Sequence, residues 1–134
     1  MSPAAPVAII GAGEIGSGWA ALFASYGAEV RSWDPAPHAL DRSRDALSCA
    51  RTLRKGAGSG RILRSANAAD AVRGAVWVQE SVPEGLLLKR TVLASLEKAL
   101  PPDAIVASST STLGASVLAE GRSFASRLVI AHPL

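Results

Sequence analysis

The chain has 134 residues, which suits one domain with a single proper core. Apolar residues make up 49% and aromatics only 4%, the composition of a core of Ala, Val, Leu and Ile packed between layers. A lone cysteine, Cys49, excludes an internal disulfide and suits a reducing, cytoplasmic setting. The start "MSPAAPVAII" lacks a signal peptide's basic flank, no apolar run approaches the roughly 20 residues of a bilayer span, and the net charge of +3 is modest.

In chain order, "VAII" (7–10) predicts a buried strand, followed by a glycine-rich turn and a helix over 14–26 that Gly27 caps. "AEVRSWD" (28–34) predicts a second strand, stopped by "PAP". A polar helix is expected over 38–55, broken by "GAGSG" (56–60). "RILRSA" reads as a short strand, "AADAVR" as a short helix and "AVWVQE" (75–80) as a firm strand. After Pro83 a helix is expected over 85–100, with Leu86, Leu93, Leu96 and Leu100 on one face. "AIVASS" (104–109) is the next strand, 116–119 lies in a short helix, and "RLVIAH" is the last strand, delivering His132 at its end.

Strands without polar alternation, separated by helices, predict an α/β fold: a doubly wound parallel sheet of about six strands, covered on both sides, joined by right-handed crossovers. There is no internal repeat and no dividing linker, so residues 1–134 are expected to form one Rossmann domain. Charge is uneven: Arg42, Arg44, Arg51, Arg54, Lys55, Arg61 and Arg64 share a stretch with Asp45 as its acid. The plain reading is a solvated helix face. The sharper one is a landing site for an anionic ligand tail or a partner. Nucleic acid is not expected, because the stretch has no aromatics for stacking and no reader motif.

Gly11, Gly13 and Gly16 form G-x-G-x-x-G between a strand and a helix. The first permits a tight turn, the second lets a pyrophosphate approach the backbone, and the third lets helix and strand pack closely. The amides near Glu14 and Ile15 would point at the phosphates, where the helix dipole favours negative charge, with the Glu14 carboxylate turned away. Asp34 ends the second strand, where a carboxylate accepts the adenine ribose hydroxyls and repels a 2′-phosphate. NAD rather than NADP or FAD is therefore the expected cofactor. Arg31, three residues earlier, points to the opposite face and does not rescue a phosphate.

"VQESVPEGLLLKR", "IVASSTSTL" and "VIAHP", in that order, resemble the NAD-binding domain of the 3-hydroxyacyl-CoA dehydrogenase family. The wording is closest to its lambda-crystallin/L-gulonate 3-dehydrogenase and carnitine dehydrogenase branches. The resemblance implies that Glu84 and Lys89 contact the nicotinamide-side ribose. From the residues alone they would read as a helix-start acid and an exposed lysine. It implies further that Ser109 lies where the cofactor passes, that Ser111 hydrogen-bonds the substrate's reacting oxygen, and that His132 takes the proton of a secondary 3-hydroxyl as hydride leaves. An imidazole suits that task because its ordinary pKa lies near neutrality. No metal is assigned a part in this chemistry, and His38 reads as a surface residue.

Two departures from the family qualify these expectations. Between Asp34 and "QESVPE" the chain is compact where acyl-CoA members carry a long helical hairpin, which counts against an acyl-CoA substrate. The family's orienting glutamate, its substrate-contacting asparagine and its C-terminal helical domain, which closes over substrate and forms the homodimer, have no counterpart in these residues. The chain is thus expected to be an isolated or truncated NAD-binding domain that binds NAD without turnover. A non-catalytic, crystallin-like NAD-binding protein is the rival reading.

Overall fold

The computed structural model describes residues 5–53 and 58–133. Twelve short elements alternate along the chain, beginning with β1 (Val7–Ile10), α1 (Glu14–Ser25), β2 (Glu29–Trp33), α2 (Ala39–Leu53) and β3 (Arg61–Arg64). They continue with α3 (Ala68–Val72), β4 (Trp77–Glu80), α4 (Leu86–Leu96), β5 (Ile105–Ser108) and α5 (Ala115–Leu118). A single 3₁₀ turn (Ala125–Arg127) then leads into β6 (Leu128–Ile130). All six strands are parallel, in the order β3-β2-β1-β4-β5-β6, which is the expected doubly wound sheet. The described residues hold no counterpart of the family's C-terminal helical domain, and no helix among them is long and apolar enough to cross a membrane.

The pleat of β1 divides the core in two. Val7 and Ile9 join Ala20, Ala21, Ala24, Val30, Leu40 and Leu47 beneath α1 and α2. Ala8 and Ile10 face the other way, into the cluster formed by α3, α4 and α5 with Val78, Val106 and Phe124. Burial on both faces explains why the central strands read as continuous apolar runs. The outer strands depart from that pattern. In β6, Leu128 is buried, but Val129 and Ile130 are 41% and 40% exposed, because this strand has a hydrogen-bonded neighbour on one side only. The last strand is a half-exposed edge rather than the buried strand that its apolar sequence suggests.

Helix α4 stops at Leu96 rather than at residue 100. Its final turn tightens, with the amides of Glu97 and Ala99 reaching back three residues to Ala94 and Leu96, before Pro101 constrains Leu100. Helix α2 begins one residue after His38, whose side chain is solvent-exposed. Of the basic stretch, Arg54 and Lys55 lie outside the described residues. Arg42, Arg44, Arg51, Arg61 and Arg64 are all exposed, as expected of a solvated face. Arg51 caps the Gly60 carbonyl, Arg61 pairs with Glu29 at 3.3 Å, and Arg64 donates to the Pro37 carbonyl at 3.2 Å.

Candidate functional site

Parallel register brings the strand ends to one level. Ile10 is paired with both Trp33 and Glu80, Glu80 with Ser108, and Ser108 with Ile130. The ladder runs one residue further. Gly11 N–H donates to the Trp33 carbonyl at 2.8 Å, Ser81 to Ile10 at 2.8 Å, Ser109 to Glu80 at 2.8 Å and Ala131 to Ser108 at 2.9 Å. The chain therefore leaves the sheet at matching heights, and a cleft of about 640 Å³ follows this carboxyl edge. Gly11, Gly13, Glu14, Ile15, Asp34, Glu84, Lys89, Ser109, Ser111 and His132 all line it. Gly16, the remaining residue singled out from the sequence, lies buried beneath the loop.

The three glycines have three different surroundings. Gly11 has φ +95°, and a Cβ there would lie 2.8 Å from the Ser81 and Val82 backbone, so both conformation and space require glycine. A Cβ on Gly16 would fall 1.8 Å from the Gly11 carbonyl oxygen. Around Gly13 nothing lies within 4 Å of the Cβ position, so the backbone is open toward the cleft. Helix α1 starts here with no side-chain cap, and its first helical bond runs from Ser17 N–H to Gly13 O at 2.9 Å. The amides of Glu14, Ile15 and Gly16 thus have no α-helical partner, and Glu14 and Ile15 line the cleft. Open backbone beside unpaired amides is what a pyrophosphate requires.

Asp34 follows β2 directly and has a role that the sequence did not reveal. Oδ2 accepts Ala12 N–H at 2.7 Å, and Oδ1 accepts Ala36 N–H at 2.8 Å. The carboxylate holds the glycine loop to the end of β2 and keeps free lone pairs on both oxygens for hydroxyl donors. Arg31 is occupied elsewhere, bonded to Glu29 and to the Arg73 carbonyl at 2.8 Å.

Lys89 is not the exposed lysine that its sequence context suggests: it is 2% exposed. Its ammonium donates to Glu80 Oε2 at 2.7 Å and to the Val82 carbonyl at 2.9 Å, and lies 3.9 Å from Glu84 Oε1. Glu80, fully buried, also accepts the Val82 amide at 2.8 Å and the Ser108 hydroxyl at 2.6 Å. A buried carboxylate meets a buried cation and two further donors, the arrangement that makes burial of both charges tolerable. Glu84 sits at the mouth of this pair and accepts from the Thr110 hydroxyl at 2.8 Å and the Ser111 amide at 3.1 Å. Desolvation pushes its carboxyl up. The Thr110 and Ser111 hydrogen bonds and the Lys89 charge outweigh that and hold it below the usual carboxylate range.

His132 is exposed at the end of β6, with Nδ1 3.0 Å from the Ser109 carbonyl oxygen. A carbonyl only accepts, so this contact is an Nδ1–H donating, and in the neutral ring that leaves the lone pair on Nε2. A backbone carbonyl thus holds one ring nitrogen of His132. Ser109 is itself held, its hydroxyl 2.7 Å from that of Ser81 and accepting from Gln79 Nε2 at 2.9 Å. The Ser111 hydroxyl lies 3.4 Å from Glu84 and is exposed on the cleft.

Glu80, Gln79, Ser81 and Thr110 were not singled out from the sequence. For Glu80 and Gln79 a signal existed, since two polar residues end the otherwise apolar "AVWVQE". Trp33, Leu88 and Val92 add apolar walls to the cleft.

The model of the NAD-binding domain of 3-hydroxyacyl-CoA dehydrogenase matches residues 6–134. L-carnitine dehydrogenase of Streptomyces coelicolor is 43% identical over 133 residues, covering 95% of this chain and 42% of that protein. L-carnitine dehydrogenase/betainyl-CoA thioesterase of Ruegeria pomeroyi is 42% identical over 132 residues, covering 94% of this chain and 27% of that one. The chain thus spans less than half the length of these relatives. Among solved structures, 3-hydroxybutyryl-CoA dehydrogenase of Escherichia coli superposes with a TM-score of 0.82 at 26% identity, over 98% of this chain and 30% of that one. An NAD+-dependent 5-formyl-3-hydroxy-2-methylpyridine 4-carboxylic acid 5-dehydrogenase gives 0.82 at 36% identity, over 95% and 43%. With the glycine loop, Asp34 and the Glu84–Lys89 element along one sheet edge, the chain belongs to the 3-hydroxyacyl-CoA dehydrogenase family, as its NAD-binding domain.

Proposed function

We propose that residues 1–134 are the NAD-binding unit of an oxidoreductase that oxidises the secondary 3-hydroxyl of a small hydroxy acid of the carnitine type. The observation that carries this reading is the gathering of the glycine loop, Asp34, the Glu84–Lys89 element, Ser109, Ser111 and His132 along one cleft. The substrate class rests on the relatives at 43% and 42% identity, both carnitine dehydrogenases, and on the compact region between Asp34 and Glu80. A 3-hydroxyacyl-CoA substrate, with a place in fatty acid metabolism, is the second reading, favoured by the backbone likeness to 3-hydroxybutyryl-CoA dehydrogenase.

In this reading Asp34 holds the adenine ribose, the amides at the start of α1 hold the pyrophosphate, and Glu84 and Lys89 face the second ribose. NAD, when bound, supplies the hydride acceptor. Ser111 presents its hydroxyl to the substrate's reacting oxygen. His132 Nε2 takes the hydroxyl proton, while its Nδ1–H stays on the Ser109 carbonyl. A cytoplasmic homodimer completed by a substrate-covering domain is the form in which we expect turnover. A protein of these 134 residues alone is expected to bind NAD without it, since hydride transfer needs a held substrate.

The test is calorimetry with NAD and NADP. NAD is expected to bind and NADP not, and Asp34→Ala should weaken NAD by about 1.5–3 kcal/mol, the range for hydrogen bonds to a charged group. Equal binding of the two cofactors would refute the assignment of Asp34.

A further inference from the structure

Gln79 is fully buried, in β4, where an unsatisfied carboxamide would be costly. In register it lies beside Ala107 of β5, which lies beside Val129 of β6. Side chains two residues apart share a face, so Ser109 and Ala131 follow on the same side of the sheet. The alanine methyl leaves room for the longer glutamine to reach along that face. Its Nε2 donates to Ser109 Oγ at 2.9 Å and to the Ala131 carbonyl at 3.2 Å, across two strands. Its Oε1 accepts from Trp77 Nε1–H at 3.0 Å. Indole nitrogen is a donor only, so it dictates which end of the carboxamide faces it and prevents a flip. Both Gln79 N–H groups must then point at Ser109 and Ala131.

These two residues frame His132. Ala131 precedes it in the chain, and the Ser109 carbonyl accepts from its Nδ1. We propose that Gln79 is a positioning residue: by gripping Ser109 and Ala131 together it sets the ring orientation of His132 and keeps the neutral imidazole in the Nδ1–H form. Nε2 is thereby left as the proton acceptor. The functional meaning rests on the reading of His132 as the base, but the structural effect stands independently of it.

The experiment is long-range proton–nitrogen NMR of the ¹⁵N-labelled chain at about pH 8.5, where an ordinary imidazole is neutral. A short histidine peptide serves as the control, because His38 has its own Nδ1 3.7 Å from the Asp41 carboxylate. His132 is expected to be predominantly Nδ1–H and the peptide to show the ordinary mixture. In Gln79→Met, of similar size but without polar atoms, His132 should lose its bias and match the peptide, with cooperative melting retained. A folded Gln79→Met protein that keeps the wild-type pattern, or a wild-type His132 that already matches the peptide, overturns the proposal. Should Gln79→Met fail to fold, Trp77→Phe decides: it removes the N–H that orients the carboxamide and keeps an aromatic ring against Phe23. It should move His132 in the same direction by less, and an unmoved His132 overturns the proposal. Failure of the base assignment looks different: His132→Gln in the active, longer enzyme would then retain turnover while the NMR result held.

Discussion

Replacing Lys89 by methionine would keep most of the side-chain length and delete its charge. Glu80 would retain the Ser108 hydroxyl and the Val82 amide, yet its fully buried carboxylate would lose the ammonium 2.7 Å away. Removing one member of a buried ion pair costs about 3–5 kcal/mol, and the two surviving hydrogen bonds place this case near the low end, about 3 kcal/mol. That is a large share of the roughly 5–15 kcal/mol that stabilises a domain. For 134 residues the unfolding entropy is about 0.28 kcal/mol/K, so the melting temperature should fall by about 10 °C. The reciprocal change, Glu80→Gln, leaves Lys89 with the Val82 carbonyl and the more distant, half-exposed Glu84. The double variant removes both charges and should be less destabilised than the sum of the singles by about 1.5 kcal/mol. Urea melts of the four proteins measure this directly. A Lys89→Met loss below about 1 kcal/mol, or strict additivity in the cycle, would show that the pair is not coupled as the geometry implies.

Two neighbouring glycines should respond in opposite ways: Gly13→Ala should fold normally but lose NAD binding in calorimetry, since its methyl meets nothing but the open cleft, whereas Gly16→Ala should fail thermally because its methyl falls on the Gly11 carbonyl. Acid should destabilise the fold through carboxyls held below their usual range: Glu29 by the Arg61 hydrogen bond above all, with Arg31 also contributing, and Glu84 by hydrogen bonds and the Lys89 charge that outweigh its desolvation. Such groups bind fewer protons folded than unfolded, so their contribution is complete above about pH 4.3 and lost as pH falls through the lower folded value. Melts across this window should show a flatter acid limb in Glu29→Gln and Glu84→Gln. Neutralising Arg51, Arg54 and Lys55 together should leave NAD affinity within about twofold, because Arg51 is engaged with the Gly60 carbonyl and lies outside the NAD cleft; a large loss would bring that helix to the cofactor.

Much of this protein is local and so can be read from the sequence. The spacing of Gly11, Gly13 and Gly16 reports backbone close to backbone within one turn, and Asp34 follows after one helix and one strand. Apolar runs without polar alternation announce strands buried on both faces, which is enough for a doubly wound parallel sheet. What remained hidden depends on pairings over long separations. Ala12 meets Asp34 across 22 positions and Gln79 meets Ala131 across 52, because parallel register aligns the ends of β1, β2, β4, β5 and β6. Composition and periodicity carry no record of that register. For the same reason Lys89, one polar residue in an amphipathic helix, reads as solvated until β4 places Glu80 beside it. The half-exposed face of β6 follows from its place at the sheet edge. The sequence alone pointed to the residues that line the cleft proposed for a dinucleotide. Only the tertiary structure decided what holds them, since a buried polar group is defined by partners that folding brings from elsewhere in the chain.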